Sequence, residues 1–148
     1  MDDDIKFSTL KKEDIDDVMK INSLSFSVPW SRSALESEMN NSLAFYAAAF
    51  KDNKVIGYGG MWVIIDEATI TNIAVHPDFR NQHIGTRIME ELFKKCKLEG
   101  VKNIYLEVRK TNYTAQHLYK KFGFVKNGIR KKYYTDNLED AIIMAKEF

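Results

Sequence analysis

The sequence predicts an α/β (α+β) domain, one mixed sheet with helices on both faces. Its length of 148 residues suits one domain, 1–148, with a real core. Period-two alternation and helical-period apolar stripes succeed one another in the order β-α-α-β-β-β-α-β-α-β-β, which implies that layered arrangement. No Gly-, Pro- or Ser-rich linker, repeat or low-complexity stretch divides the chain.

Ile5–Ser8 alternates as a short first strand. Lys12–Ser25 sets Ile15, Val18, Met19 and Ile21 at helical spacing, with acids in the first turn where the helix dipole favours them. Pro29 disfavours helix at Val28, so Phe26–Trp30 is a break. Ser31 caps a second helix to Asn40, with Ala34, Leu35 and Met39 inward. Ala44–Lys51 and Lys54–Ile64 form a hairpin around Asp52-Asn53. Glu67–Val75 is a strand after a turn at Ile65-Asp66, and His76–Ile84 is a sharp loop. The helix Gly85–Glu99 follows, with Ile84, Ile88, Leu92 and Cys96 in one stripe that Met89 and Phe93 widen, and Gly100 stops it. Asn103–Val108 is a strand and Asn112–Phe122 a helix ended by Gly123. Phe124–Tyr134 and Asp140–Glu147 close the chain as strands joined through Thr135-Asp136-Asn137.

Composition excludes several functions. With 22 Lys+Arg against 21 Asp+Glu, the net charge of +1 gives no broad grip on nucleic acid or anionic lipid, so neither is an expected partner. The single cysteine, Cys96, permits no internal disulfide and no Cys-based zinc site. His76, His83 and His117 lack metal-ligand spacing, so no metal is expected. The acidic start Met1–Asp4 has no apolar run behind it, and Leu43–Phe50 and Gly57–Ile65 are too short to span a bilayer. A cytoplasmic protein is expected.

The loop from Asn72 to Thr86 leaves a strand and enters a helix at once. Unpaired N–H groups and the dipole of a first helical turn bind phosphate, and Gly85 lets a ligand approach the backbone. Arg80 and Arg87 are available to add charge. A tight strand-to-helix turn with one glycine is the plainer reading, and these residues alone leave both open.

The run Ile73-Ala74-Val75-His76-Pro77, with Arg80 and Gly85, resembles the acetyl-CoA-binding motif Gln/Arg-x-x-Gly-x-Gly/Ala of the GNAT N-acetyltransferase superfamily. Arg80 fills its first position and Gly85 its last, while His83 stands where the first Gly usually is. The resemblance implies a mainly antiparallel central sheet and acetyl-CoA as co-substrate. It implies cofactor contacts from Ile73, Ala74, Val75, Arg80, Asn81, Gln82, His83, Ile84, Gly85, Thr86 and Asn112. The histidine affects cofactor affinity if its position needs φ > 0.

On the fifth strand Ile104, Leu106 and Val108 share one face, and Tyr105 and Glu107 the other. Ala115, Leu118, Tyr119 and Phe122 fall on one helical face. The plain readings are an exposed Glu107 and a core Tyr119. Acetyl transfer gives both residues work: a carboxylate removes the amine proton, and a phenol protonates the leaving thiolate. The chain is similar to the RimI-type, ribosomal-protein-alanine branch in Pro29-Trp30-Ser31, Asp66–Thr69, Leu106–Arg109, Arg130, Tyr133-Tyr134 and Glu139–Met144. That branch implies Glu107 as proton acceptor, Tyr119 as proton donor, and backbone N–H at Ile73–Val75 holding the oxyanion. It also implies a protein partner, the N-terminal alanine of small-subunit ribosomal protein eighteen.

Phe26, Trp30, Tyr133 and Tyr134 are candidate walls for that peptide, with Glu67, Glu36 or Glu38 available to meet a basic side chain. Phe26 and Trp30 as core is the alternative. Lys120-Lys121 and Arg130-Lys131-Lys132 read as solvated faces, with contact to the CoA 3′-phosphate or ribosomal RNA as a secondary reading. Cys96 on an apolar stripe reads as a buried thiol rather than a nucleophile. Rival functions are a GNAT enzyme acting on a small amine and a catalytically silent acetyl-CoA-binding module.

Overall fold

A computed structural model describes residues 4–148; the Met1–Asp3 part of the acidic start lies outside the described residues. The strands are β1 (Lys6–Thr9), β2 (Ala44–Lys51), β3 (Lys54–Ile64), β4 (Glu67–Val75), β5 (Asn103–Arg109), β6 (Val125–Arg130) and β7 (Ala141–Glu147). The helices are α1 (Ile15–Ser25), α2 (Arg32–Met39), α3 (Ile84–Leu98) and α4 (Tyr113–Lys121). One sheet runs β1-β2-β3-β4-β5-β7-β6, with every neighbour antiparallel except the β4–β5 pair. The mixed sheet and the element order agree with the sequence.

Core packing divides the helices between the faces. Ile15, Val18 and Ile21 of α1 and Leu35 of α2 pack with Tyr46, Ala48, Tyr58 and Ala74. On the other face Met89, Leu92 and Cys96 of α3 and Tyr119 of α4 pack with Met61, Ile70, Leu106 and Val108. Each fully buried aliphatic contributes about 1.5–3 kcal/mol relative to exposure. Gly59 and Gly60 admit close neighbours on opposite faces of β3. A Cβ at Gly59 would lie 2.5 Å from Ile88, and one at Gly60 would lie 2.2 Å from the Tyr46 ring.

Local chemistry fixes the ends of the elements. The Ser31 side chain accepts from Ala34 N at 3.1 Å and caps α2. Asp52 and Asn53 both have positive φ, 51° and 65°, as a two-residue hairpin turn requires. The first predicted helix is divided: Lys12–Asp14 is a 3₁₀ turn, and α1 begins at Ile15. The predicted strand to Tyr134 stops at Arg130. Lys132 has φ 52°, its N–H donates to Asp140 Oδ1 at 2.9 Å, and Tyr134 N–H donates to Glu139 O at 3.1 Å. Those bonds curl the segment into a loop before β7.

Two irregularities shape the centre. Gly60 of β3 faces Asn72, but Met61 faces Ile70, so Thr71 is an extra, bulged residue in β4. Such a bulge bends its strand and raises its twist. The parallel pairing of β4 with β5 covers only Glu67–Asn103, Ala68–Ile104 and Thr69–Tyr105, although both strands continue. Past Thr69 the two strands part, which leaves a gap in the hydrogen-bonded ladder.

Candidate active site

The gap lies between Thr71–Val75 of β4 and Leu106–Arg109 of β5. Leu106 and Val108 are buried against α3 and α4, so Glu107 projects from the opposite face. Tyr119 of α4 is buried on the Leu106 side, within electrostatic reach of Tyr134. A group passing from Tyr119 to Glu107 must cross between the strands.

Glu107 is pinned on one oxygen only. Its Oε1 accepts from Arg130 Nε of β6 at 3.2 Å. Its Oε2 is buried and, among the described residues, has no hydrogen-bond partner. A desolvated carboxylate oxygen without a donor is costly, and it is ready to accept a proton-bearing nitrogen. Tyr133 stands beside it: burial first, then the Glu107 carboxylate, push the Tyr133 phenol up. Sequence reasoning left Arg130 in a solvated basic cluster. The signal that finds its pairing is its position on the β6–β7 ladder, opposite Ala141, which itself pairs with Arg109 on the Glu107 face.

Tyr119 is buried in the core, with its ring centroid 5.9 Å from that of Phe124. Burial, and then Tyr134, push its phenol up to about 12, so it stays protonated through the neutral range. The ring packs in the core and the hydroxyl keeps its proton.

The loop into α3 fits an anionic ligand. His83 is the N-cap of α3, with φ 61° and ψ 18°. Its position does need φ > 0, so the histidine occupies left-handed backbone where the family motif has glycine. Asn81 is also left-handed, φ 64°. Gly85 and Thr86 are half-buried in the first turn, and a Cβ at Gly85 would meet only Leu118, at 3.6 Å. The Ile84 side chain is buried in the core, which leaves its backbone alone for a ligand. Ala74 is likewise buried, toward α1, whereas Ile73 and Val75 pack toward α3. Arg80 turns back instead of outward: its Nε donates to Val75 O at 3.0 Å and fixes the end of β4. Arg87 lies over the Phe7 ring at 4.2 Å. Gln82 is exposed beside His83. Asn112 caps α4, its Oδ1 accepting from Ala115 N at 3.1 Å.

Two loops wall the Glu107 face. Phe26 and Trp30 are half-buried and pack against the α1 cluster. Trp30 O accepts from the fully buried Asn22 Nδ2 at 3.0 Å. Opposite them, Tyr133 and Tyr134 meet edge-on at 5.1 Å. Arg109 holds this second loop. It binds Asp136 at 2.9 Å and Glu139 at 3.2 Å, and it stacks on the Tyr134 ring at 4.0 Å. Hydrogen bonds from the Thr111 hydroxyl and N–H, then Arg109, draw Glu139 down to about 2. Ser27 of the first loop helps to hold Asp136 ionised, after Arg109.

The acids proposed to meet a basic side chain separate. Glu36 is paired with Arg32 at 3.1 Å. Glu38 is buried, contrary to an exposed role, and accepts from Tyr46 Oη at 2.6 Å and Trp62 Nε1 at 2.8 Å. Glu67 is exposed at the paired end of β4; its register partner Asn103 lies four residues from Glu107, roughly 13 Å at strand rise. Cys96 is buried with its thiol pushed up to about 11 by desolvation, which removes it as a nucleophile. Among the described residues no group of three His, Cys, Asp or Glu is set to hold a metal ion, and no helix is long and apolar enough to cross a membrane.

Residues 15–124 match the acetyltransferase (GNAT) family model. The chain belongs to the GNAT acetyltransferase family. A candidate [ribosomal protein bS18]-alanine N-acetyltransferase of Bacillus subtilis is 44% identical over 136 residues, covering 91% of this chain and 90% of that protein. The [ribosomal protein bS18]-alanine N-acetyltransferase of Escherichia coli K12 is 35% identical over 140 residues, covering 93% and 94%. The crystal structure of the ribosomal-protein-S18-alanine N-acetyltransferase from Escherichia coli superposes with TM-score 0.90 at 34% identity, over 97% of this chain and 93% of that one. As a GNAT enzyme the chain is an acetyl-CoA-dependent acyltransferase.

Proposed function

We propose that this GNAT enzyme acetylates the N-terminal alanine α-amine of ribosomal protein bS18, by direct attack in a ternary complex. The substrate class is taken from the two named relatives, which align over about nine-tenths of the chain. The observation that carries the chemistry is the buried, unpartnered Oε2 of Glu107 at the gap in the sheet.

The residues present fit acetyl-CoA, whose thioester supplies the acetyl group. The unpaired β4 edge at Ile73–Val75 offers backbone N–H groups, and the α3 first turn after His83 offers more. Asn81, Gln82, Gly85, Thr86 and Asn112 complete the proposed contacts, and Arg80 serves by fixing the strand end. Glu107 Oε2 takes the ammonium proton, because an α-amine with a pKa near 7.7–8.0 is largely protonated at neutral pH. Arg130 holds the other oxygen and so aims the carboxylate. Tyr119 gives its proton to the leaving sulfur from the opposite face. Phe26, Trp30, Tyr133 and Tyr134 flank the first residues of the peptide. The reading puts the reaction in the cytoplasm, with no membrane or nucleic acid in it.

Mass spectrometry of a panel of N-terminal peptides incubated with enzyme and acetyl-CoA tests it. A hexapeptide beginning with alanine is expected to react far faster than alanine amide, because remote binding energy orients the amine. Equal rates for the hexapeptide, alanine amide and a polyamine would assign the site to small amines.

A further inference from the structure

The Glu107 face of the sheet carries no helix over β5, β7 and β6, since α1 and α2 pack on β2–β4 and α3 and α4 lie on the other side. Strand register aligns two rows of side chains that start on β3, where Glu38 of α2 meets Trp62, and run onto this bare half. Trp62, Thr69, Tyr105, Ala145 and Val125 form one, across five strands. Ile64, Glu67, Asn103 and Glu147 form the next. Glu107 stands on the same face, two residues along β5 from the first row. Trp62, Ile64 and Val125 are 39%, 51% and 65% exposed. Glu67 and Glu147 are exposed acids, and neither row holds a lysine or arginine.

We infer that these rows form a docking strip for the polypeptide that follows the acceptor amine, a segment with apolar and cationic side chains. The inference rests on the peptide-acceptor reading and extends it past the first residues. Trp62 and Ile64, two residues apart on β3, put an exposed apolar pair at one end of the rows, and contiguous apolar surface of this kind marks an interaction site. Trp62 is a prepared anchor: its indole N–H is tied to Glu38 at 2.8 Å, so the exposed ring is already fixed. Two acids with no neighbouring base in the rows select a cation. The strip is continuous with Glu107, and the spacing suits one chain. The first row lies about 7 Å and the second about 13 Å along β5 from Glu107. An extended peptide with its amine at Glu107 brings about its third residue over the Trp62 row and its fifth over the Glu67 row. A second copy docked by two-fold symmetry on this strip would set Glu67 and Glu147 against like charges.

The test compares kcat/KM for an alanine-initiated dipeptide amide with hexapeptides that carry Lys, Ala or Glu at position five. The wild-type enzyme is expected to favour Lys over Glu by about three- to tenfold, the range of one or two exposed ion pairs. In the double variant Glu67→Lys/Glu147→Lys the preference reverses. Trp62→Ala lowers the hexapeptide-to-dipeptide ratio of kcat/KM, and the charge-reversed variant decides the matter if Trp62→Ala fails to fold. Indifference to position five, or the wild-type ranking kept in the double variant, overturns the strip. Sedimentation showing a wild-type dimer that Glu147→Lys dissociates assigns the strip to a second copy and overturns it too. Failure of every alanine peptide to react overturns the acceptor reading itself.

Discussion

Replacing His83 separates backbone strain from side-chain chemistry at the proposed cofactor loop. At φ 61° and ψ 18° the residue sits in left-handed backbone. That conformation costs an L-residue about 1–2 kcal/mol, and glycine gives back about 0.4–1 kcal/mol through its freer unfolded chain. His83→Gly is therefore expected to gain between about 0 and 1.5 kcal/mol, and His83→Ala to gain nothing. At about 2–4 °C per kcal/mol for a domain of this size, the glycine variant melts up to about 6 °C higher. Differential scanning fluorimetry of the three proteins reads this directly. Calorimetric titration with acetyl-CoA reads the second half: His83→Gly keeps or tightens binding, equally at pH 6 and pH 8. A glycine variant that melts below the alanine variant would refute the strain argument. Weaker binding by both would give the side chain a phosphate contact instead.

Four further outcomes are expected. Glu107→Gln lowers kcat about 10²–10⁴-fold while calorimetric acetyl-CoA affinity stays near wild type; normal turnover across neutral pH removes the residue from the mechanism. Tyr119→Phe keeps the ring packed, so kcat falls with little change in melting temperature, whereas matched losses of stability and rate would make the residue purely structural. Gly60→Ala drives a methyl to 2.2 Å from the Tyr46 ring and costs about 1–3 kcal/mol in urea unfolding. Glu139 is drawn from an ordinary 4.5 down to about 2, so its support of the Tyr133–Tyr134 loop is full above about pH 4.5 and fades as pH falls toward 2. Amide protection factors of that loop, followed downward from pH 5, should drop in this window.

Elements were legible where the signal is local. The α3 stripe from Ile84 to Cys96 is buried throughout, and the Asp52-Asn53 turn has the backbone that its residues favour. The parity of β5 set Glu107 apart from Leu106 and Val108 without any tertiary information. The bulge at Thr71 left only a shift of phase in the sequence, from Ala68 and Ile70 to Ile73 and Val75, because the extra residue itself exists only relative to β3. The parting of β4 from β5 was not legible, being a property of two segments 36 residues apart. Long-range pairing also explains the acids and bases that went elsewhere. Glu38 looked solvated until Tyr46 and Trp62 came across the sheet to meet it, and Arg80 looked free until it bound the carbonyl five residues back. The loop at Lys131–Tyr134 carries strand-like tyrosines, and only its bonds to Glu139 and Asp140 bend it away.

A slot between two strands has two mouths, one on each face of the sheet. On the proposed reading, a thioester enters from the α3 side and a chain end from the Glu107 side, so the two never contend for the same volume. The sheet itself then acts as a bulkhead, against which the folded body behind the substrate's first residues comes to rest. The size of the acceptor is decoupled from the size of the chamber, so a small enzyme can work on a substrate of any bulk that offers a free end.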